Sequence, residues 1–179
     1  MTQMQRVTQE HAPSGLGEER SAVRFCVANR PPLADYRQLQ GVRPLQAGEI
    51  AHIVAHTSNH WRKLFNVLAK VMFALPRRGA CSRWQDYREQ NLLQAGGAEQ
   101  LLFSAPCWQT GAAIHIVTGK TYAATLNLPP LTWLDESFAI NRQFRVVVSP
   151  YPDYRQLSNA RIEQLVALVT PMLPEGRSA

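Results

Sequence analysis

Cysteine is scarce. Cys26, Cys81 and Cys107 are the only three in 179 residues, an odd number with no C-x-x-C pair. That excludes a disulfide-built scaffold and fits a reducing compartment. Long apolar runs are missing too, and none reaches membrane-spanning length. The first twenty residues, MTQMQRVTQEHAPSGLGEER, hold no apolar stretch of the kind a secretory signal needs. The expectation is a cytoplasmic protein with no membrane partner. No Walker sequence, G-x-S-x-G or G-x-G-x-x-G is present, and GGAEQ at 96–100 reads as a turn before a strand rather than a phosphate cradle. No cofactor and no metal are expected. Acidic residues are also in short supply: Asp plus Glu total 13 against 19 for Lys plus Arg, a formal charge of +6. Such a surplus favours polyanion partners, nucleic acid among them.

What is present describes a folded chain. Hydrophobic residues make up 45% and charged residues 18%, a globular balance, and the length suits a single domain. Residues 1–20 and 174–179 read as polar tails around one domain over 21–173. Four short apolar runs read as strands: AVRFCVA (22–28), EQLLFSA (99–105), AIHIVTG (113–119) and FRVVVS (144–149). Their near-continuous apolar character is that of strands covered on both faces. Helical patterns separate them, at 49–56, 58–75, 83–95 and 119–126, and a last one follows Ser158. Ser58 and Ser158 stand where N-caps belong, and Pro76 stops the second helix. Strands alternating with helices predict a three-layer α/β/α domain around a four-stranded parallel sheet.

Ligands of such sheets bind at the carboxyl ends of the strands. The pentapeptide DYRQL occurs just past two of those ends, at 35–39 and 153–157. Arg37 and Arg155 could bind phosphate there, with Tyr36 and Tyr154 stacking on bases. Alternatively, each Asp pairs with its own Arg and the cassette is a self-satisfied loop. A third DYR, at 86–88, lies within a predicted helix. The turn PRRGACSRW sets Arg77 and Arg78 beside Gly79, which suits either a phosphate contact or a solvated loop. His52, His56 and His60 recur at four-residue spacing, but the break at Thr57-Ser58-Asn59 and the lack of an acidic partner favour ordinary helix histidines over a metal site. His115 lies inside a strand and reads as packed. Cys107 reads as packing beside Trp108.

Four segments, in order, resemble the uracil-DNA glycosylase superfamily, especially its mismatch-specific and thymine-DNA glycosylase branches. FCVANRPPL resembles the first-strand motif, in which an apolar strand runs into Gly-Ile-Asn-Pro-Gly. TSNHWRKLF resembles the helix reading Asn-(Arg/His)-Phe-Trp-Lys-x-Leu. IHIVTGKTYAATL resembles the third strand with its Gly-(Lys/Ser)-x-Ala, and VVVSPYPDYRQLSN the fourth strand with its His-Pro-Ser or Asn-Pro-Ser loop. Together they span residues 22 to about 170.

The resemblance implies a uracil-DNA glycosylase-like fold binding DNA or a nucleobase, with hydrolysis of an N-glycosidic bond as the reaction. Asn29 falls at the position that orients the attacking water. Ser104 and Ser149 fall where the base edge is read and where the leaving oxygen is stabilised. Pro150 and Tyr151 line the same implied cleft as Tyr36. The pattern also departs from the family. Arg30 intrudes between asparagine and proline, Ser149 replaces a histidine, and Asp153 replaces an apolar wedge, leaving Tyr154 or Leu157 for that part. A serine offers only a neutral hydrogen bond to a departing anion, and an anionic Asp153 is repelled by phosphate. Two readings follow: a divergent N-glycosylase, or a catalytically inactive member kept as a binding or interaction module.

Overall fold

The computed structural model describes residues 12–76, 81–109 and 111–175. In chain order the elements are β1 (Gly15–Gly17), β2 (Val23–Cys26), α1 (Ala34–Arg37), β3 (Val42–Arg43), α2 (Glu49–His56), α3 (Asn59–Ala74) and α4 (Trp84–Gln90). Then come β4 (Glu99–Leu102), β5 (Ile114–Thr118), α5 (Lys120–Ala124), β6 (Thr132–Trp133), β7 (Ala139–Asn141), β8 (Val146–Ser149) and α6 (Asn159–Val169), closed by a 3-10 turn at Thr170–Met172.

The α/β class is as expected, but the sheet is larger and mixed. It has eight strands in the order β3-β1-β4-β2-β5-β8-β7-β6. The four apolar runs form its parallel middle, β4-β2-β5-β8. Antiparallel β1 extends it beyond β4, and antiparallel β7 beyond β8. The added strands are two or three residues long, GLG, VR, TW and AIN. Segments that short carry no periodicity from which a strand can be read. β1 also corrects the expected N-terminal tail, because Gly15–Gly17 is sheet rather than loose chain.

Alternation along the strands builds two unequal layers. Phe25, Leu101, Ile114, Ile116 and Val147 face Trp61, Leu64, Phe65, Leu68 and Met72 of α3 and Ile162, Leu165 and Val169 of α6. This is the larger core. α3 belongs there because its apolar residues recur at three and four positions over sixteen residues. On the other face Cys26, Leu102, Val117, Val146 and Val148 pack under Ala123 of five-residue α5 and under Trp108, Leu126, Leu131 and Phe144. Loops therefore do much of the covering there. Burial pushes the Cys26 thiol up to about 12, so it is a packing group and not a nucleophile.

β1 lies so close to β4 that only glycine fits. A Cβ on Gly15 would stand 2.2 Å from the Leu101 carbonyl oxygen. Backbone atoms of a central sheet strand cannot yield that distance. Gly15→Ala should cost about 1–3 kcal/mol, read as a lowered urea midpoint; an unchanged midpoint would show that β1 is dispensable.

Candidate phosphate-binding cleft

An open cleft of about 280 Å³ lies at the carboxyl ends of β5 and β8. Gly119 and Lys120 come from the β5–α5 junction, Glu136 and Ser137 from the β6–β7 loop, and Pro150 and Tyr151 from the end of β8. The following turn supplies Arg155 and Gln156, and α6 supplies Arg161. Three cations thus face one carboxylate.

Each cation is held by neutral neighbours. Lys120 Nζ lies 5.0 Å from the centre of the Trp133 ring. Arg155 Nε donates to the Tyr154 hydroxyl at 3.3 Å, with its guanidinium over the same ring. Arg161 donates to Ser137 Oγ. None of the three forms an ion pair among the described residues. Glu136 lines the cleft, and two further carboxylates act on these cations through their charge, Asp153 on Arg155 and Asp135 on Arg161, while accepting backbone N–H groups. Asp153 accepts the Arg155 backbone N–H at 2.9 Å and pairs with Lys63 at 3.7 Å. Asp135 accepts the backbone N–H groups of Ser137 and Phe138, which hold its carboxyl below the usual range, with Gln164 and Arg161 assisting. It thereby shapes the loop that carries Ser137.

Tyr151 forms the cleft wall. Its hydroxyl is 2.7 Å from His60 Nε2, and the two rings stack at 5.3 Å. Burial, then Asp153, pushes the phenol up to about 12. Burial also lowers the His60 pKa, opposed by Asp153. Both shifts favour the uncharged forms, which places a neutral wall behind three cations.

The other expected site residues are scattered. Asn29 is exposed beyond β2 and does not line this cleft. Ser149 is fully buried, and its hydroxyl donates to the Pro150 carbonyl at 2.9 Å. Ser104 accepts the Ser14 N–H and lines a separate cleft with Cys107. Tyr36 is 2% exposed and its hydroxyl donates to Glu49. Arg37 is exposed on α1. Arg77 and Arg78 lie outside the described residues. Of the expected residues, Pro150, Tyr151 and Arg155 line the cleft, with Tyr154 at its edge.

Only the second DYRQL cassette reaches this cleft, through Arg155 and Gln156; no residue of 35–39 lines it, and β5 lies between β2 and β8. Nor do the two cassettes fold alike. In the first, Arg30 Nη1 gathers the carbonyls of Tyr36 and Leu39, each at 3.0 Å, and Tyr36 turns inward. In the second, Asp153 makes the turn and Tyr154 is 52% exposed. Arg30, which breaks the asparagine-proline motif, is thus the clamp of the first cassette.

Lys120, Glu136, Ser137 and Arg161 were not among the expected site residues. Only Lys120 had a readable signal, a cation directly after an apolar strand and its glycine. His56 Nδ1 lies 2.8 Å from the His52 carbonyl oxygen while His60 faces Tyr151. Among the described residues no group of three or more His, Cys, Asp or Glu is placed to hold a metal ion. Among them too, no helix is long and apolar enough to cross a membrane.

No curated protein and no solved structure matches the chain. The model of DUF6942, a family of unknown function, matches residues 14–170, which takes in every strand and helix described above, and the chain belongs to that family.

Proposed function

We propose that this chain is a nucleic-acid-binding protein of uracil-DNA glycosylase-like ancestry that grips phosphate and does not cleave the glycosidic bond. The observation that carries the reading is the convergence of Lys120, Arg155 and Arg161 on one cleft at the carboxyl ends of the parallel strands. Guanidinium groups bind phosphate through paired donors, and an ammonium adds a mobile point charge. The net charge of +6 supports long-range attraction of a polyanion.

Loss of cleavage is supported by where the polar groups went. The Ser149 hydroxyl is spent on its neighbour's carbonyl inside the protein, so it offers nothing to a departing base anion. Asn29 stands apart from the cleft. The binding-module reading therefore fits better than the catalytic one.

Anisotropy of a labelled oligonucleotide tests the reading. Arg155→Glu should weaken binding about tenfold and reduce the slope of log affinity against log salt by about 1. Equal affinity and slope in wild type and variant would sink it. Formation of abasic product from a U:G duplex, abolished by Asn29→Ala, would instead restore the glycosylase reading.

A further inference from the structure

Few large apolar side chains are exposed among the described residues: Phe73, Trp133, Leu134 and Tyr154. Trp133 is 44% and Tyr154 52% exposed, and both are tied to the cleft. Lys120, a lining residue, lies over the Trp133 ring, and Arg155, another, lies over Tyr154. Lys63 also stands 5.0 Å from the Tyr154 ring centre. Trp133 immediately precedes the loop that brings Glu136 and Ser137 into the cleft wall. A single exposed aromatic is ordinary on a protein surface. Two of them, each joined through its own cation to one basic cleft, form a pattern suited to a ligand that carries both negative charge and aromatic rings.

We infer that the cleft takes an unpaired strand of nucleic acid, its phosphates on Lys120, Arg155 and Arg161 and its bases on the faces of Trp133 and Tyr154. This rests on the phosphate reading proposed above and narrows it. Paired bases in a duplex already have both faces covered by their neighbours, so an aromatic platform recognises a base only where the strand is single. The cations serve both halves of the ligand. Lys120 and Arg155 lie against Trp133 and Tyr154 and so keep the two rings beside the cleft, where the same charges attract phosphate. Nothing in stacking separates DNA from RNA, so both are candidates of one chemistry.

The test is a titration of the full chain with labelled dT12, rU12 and a twelve-base-pair duplex at two salt concentrations, with intrinsic tryptophan emission followed in parallel. The single strands should bind at least tenfold more tightly than the duplex at the higher salt, and dT12 should quench emission. Trp133→Ala and Tyr154→Ala should each weaken dT12 binding about five- to a hundredfold. Trp133→Phe, which keeps a ring, should restore most of the affinity and abolish most of the quench. Preference for rU12 over dT12, or the reverse, would support the inference and name the strand. Equal strand and duplex affinity with inert aromatic variants would overturn it while leaving the phosphate reading intact. No binding to any of the three would overturn both.

Discussion

Glu99→Ala should lower the stability of the protein by about 3–4 kcal/mol. Glu99 is the first residue of β4 and is fully buried. Its carboxylate accepts the Tyr87 hydroxyl at 2.9 and 3.0 Å, the Leu93 N–H at 3.0 Å and the Ala98 N–H at 3.0 Å. One side chain thus ties the end of α4, the turn after it and the strand that follows. The turn needs that tie. Leu93 sits at φ 58°, a left-handed conformation that ordinary residues avoid, and its carbonyl accepts the Leu45 N–H. Alanine would take the carboxylate acceptor away from the Leu93 and Ala98 N–H groups, each at a cost of about 1–3 kcal/mol less what relaxation recovers. Tyr87→Phe removes one donor along with its own need and should cost only about 1 kcal/mol. Urea denaturation of the two variants separates the cases. A loss below 1 kcal/mol for Glu99→Ala would mean that the turn re-pairs its donors without the carboxylate.

The same residue explains where sequence reading of the fold stopped short. The apolar pattern carried the predicted helix from 83 to 95, through Leu92 and Leu93, and both are buried as the pattern demands. Yet α4 ends at Gln90, and the N–H of Leu93 goes to the Glu99 carboxylate instead of to a helical carbonyl. Periodicity reports which side faces the core and is silent on which backbone groups a side-chain carboxylate will claim. The central strands were legible for the opposite reason: burial on both faces writes itself into consecutive residues. The GLG of β1 is a strand only because Leu101 and Leu102 lie beside it with no room for a side chain between.

At the cleft the limit is set by the hairpin β6–β7. Arg155 stands out through the repeated DYRQL just past an apolar strand, and Tyr151 through the glycosylase resemblance. Arg161 looks like any exposed residue of α6 until Ser137 arrives opposite it, carried on a loop whose shape depends on Asp135. Repetition misled in a different way. Two identical pentapeptides take opposite roles because their neighbours differ: Arg30 and Glu49 draw Tyr36 inward, whereas Lys63 and Arg155 lie over a Tyr154 that stays outside. Five residues are too few to fix their own conformation against such partners.

Stability should also fall by about 3 kcal/mol as pH drops from 7 to 4, through His115. His115 lies in the middle of the sheet, 1% exposed, with neither ring nitrogen hydrogen-bonded among the described residues. Its register partner on β2 is Arg24, and on β8 it is Val146. Burial, with the Arg24 charge assisting, pushes its pKa down to about 4. The ordinary value of an unfolded histidine is about 6.5. Between those two values the unfolded chain binds a proton that the folded chain refuses, so each pH unit of descent removes about 1.4 kcal/mol. The contribution is fully present above pH 6.5 and is exhausted near pH 4. Carboxylates titrate at the lower end of this window, and His60, partly buried, adds a change of the same sign. The informative quantity is therefore the difference in unfolding free energy between wild type and His115→Phe across pH 4–7. That difference should change sigmoidally, with the phenylalanine variant gaining relative stability as pH falls. Arg24→Gln should move the lower end of the step upward, because removing the cation eases protonation of the ring. A flat difference, or a His115 resonance titrating near 6.5 in the folded protein, would show that water reaches the ring and that the loop-covered face of the sheet is open to solvent.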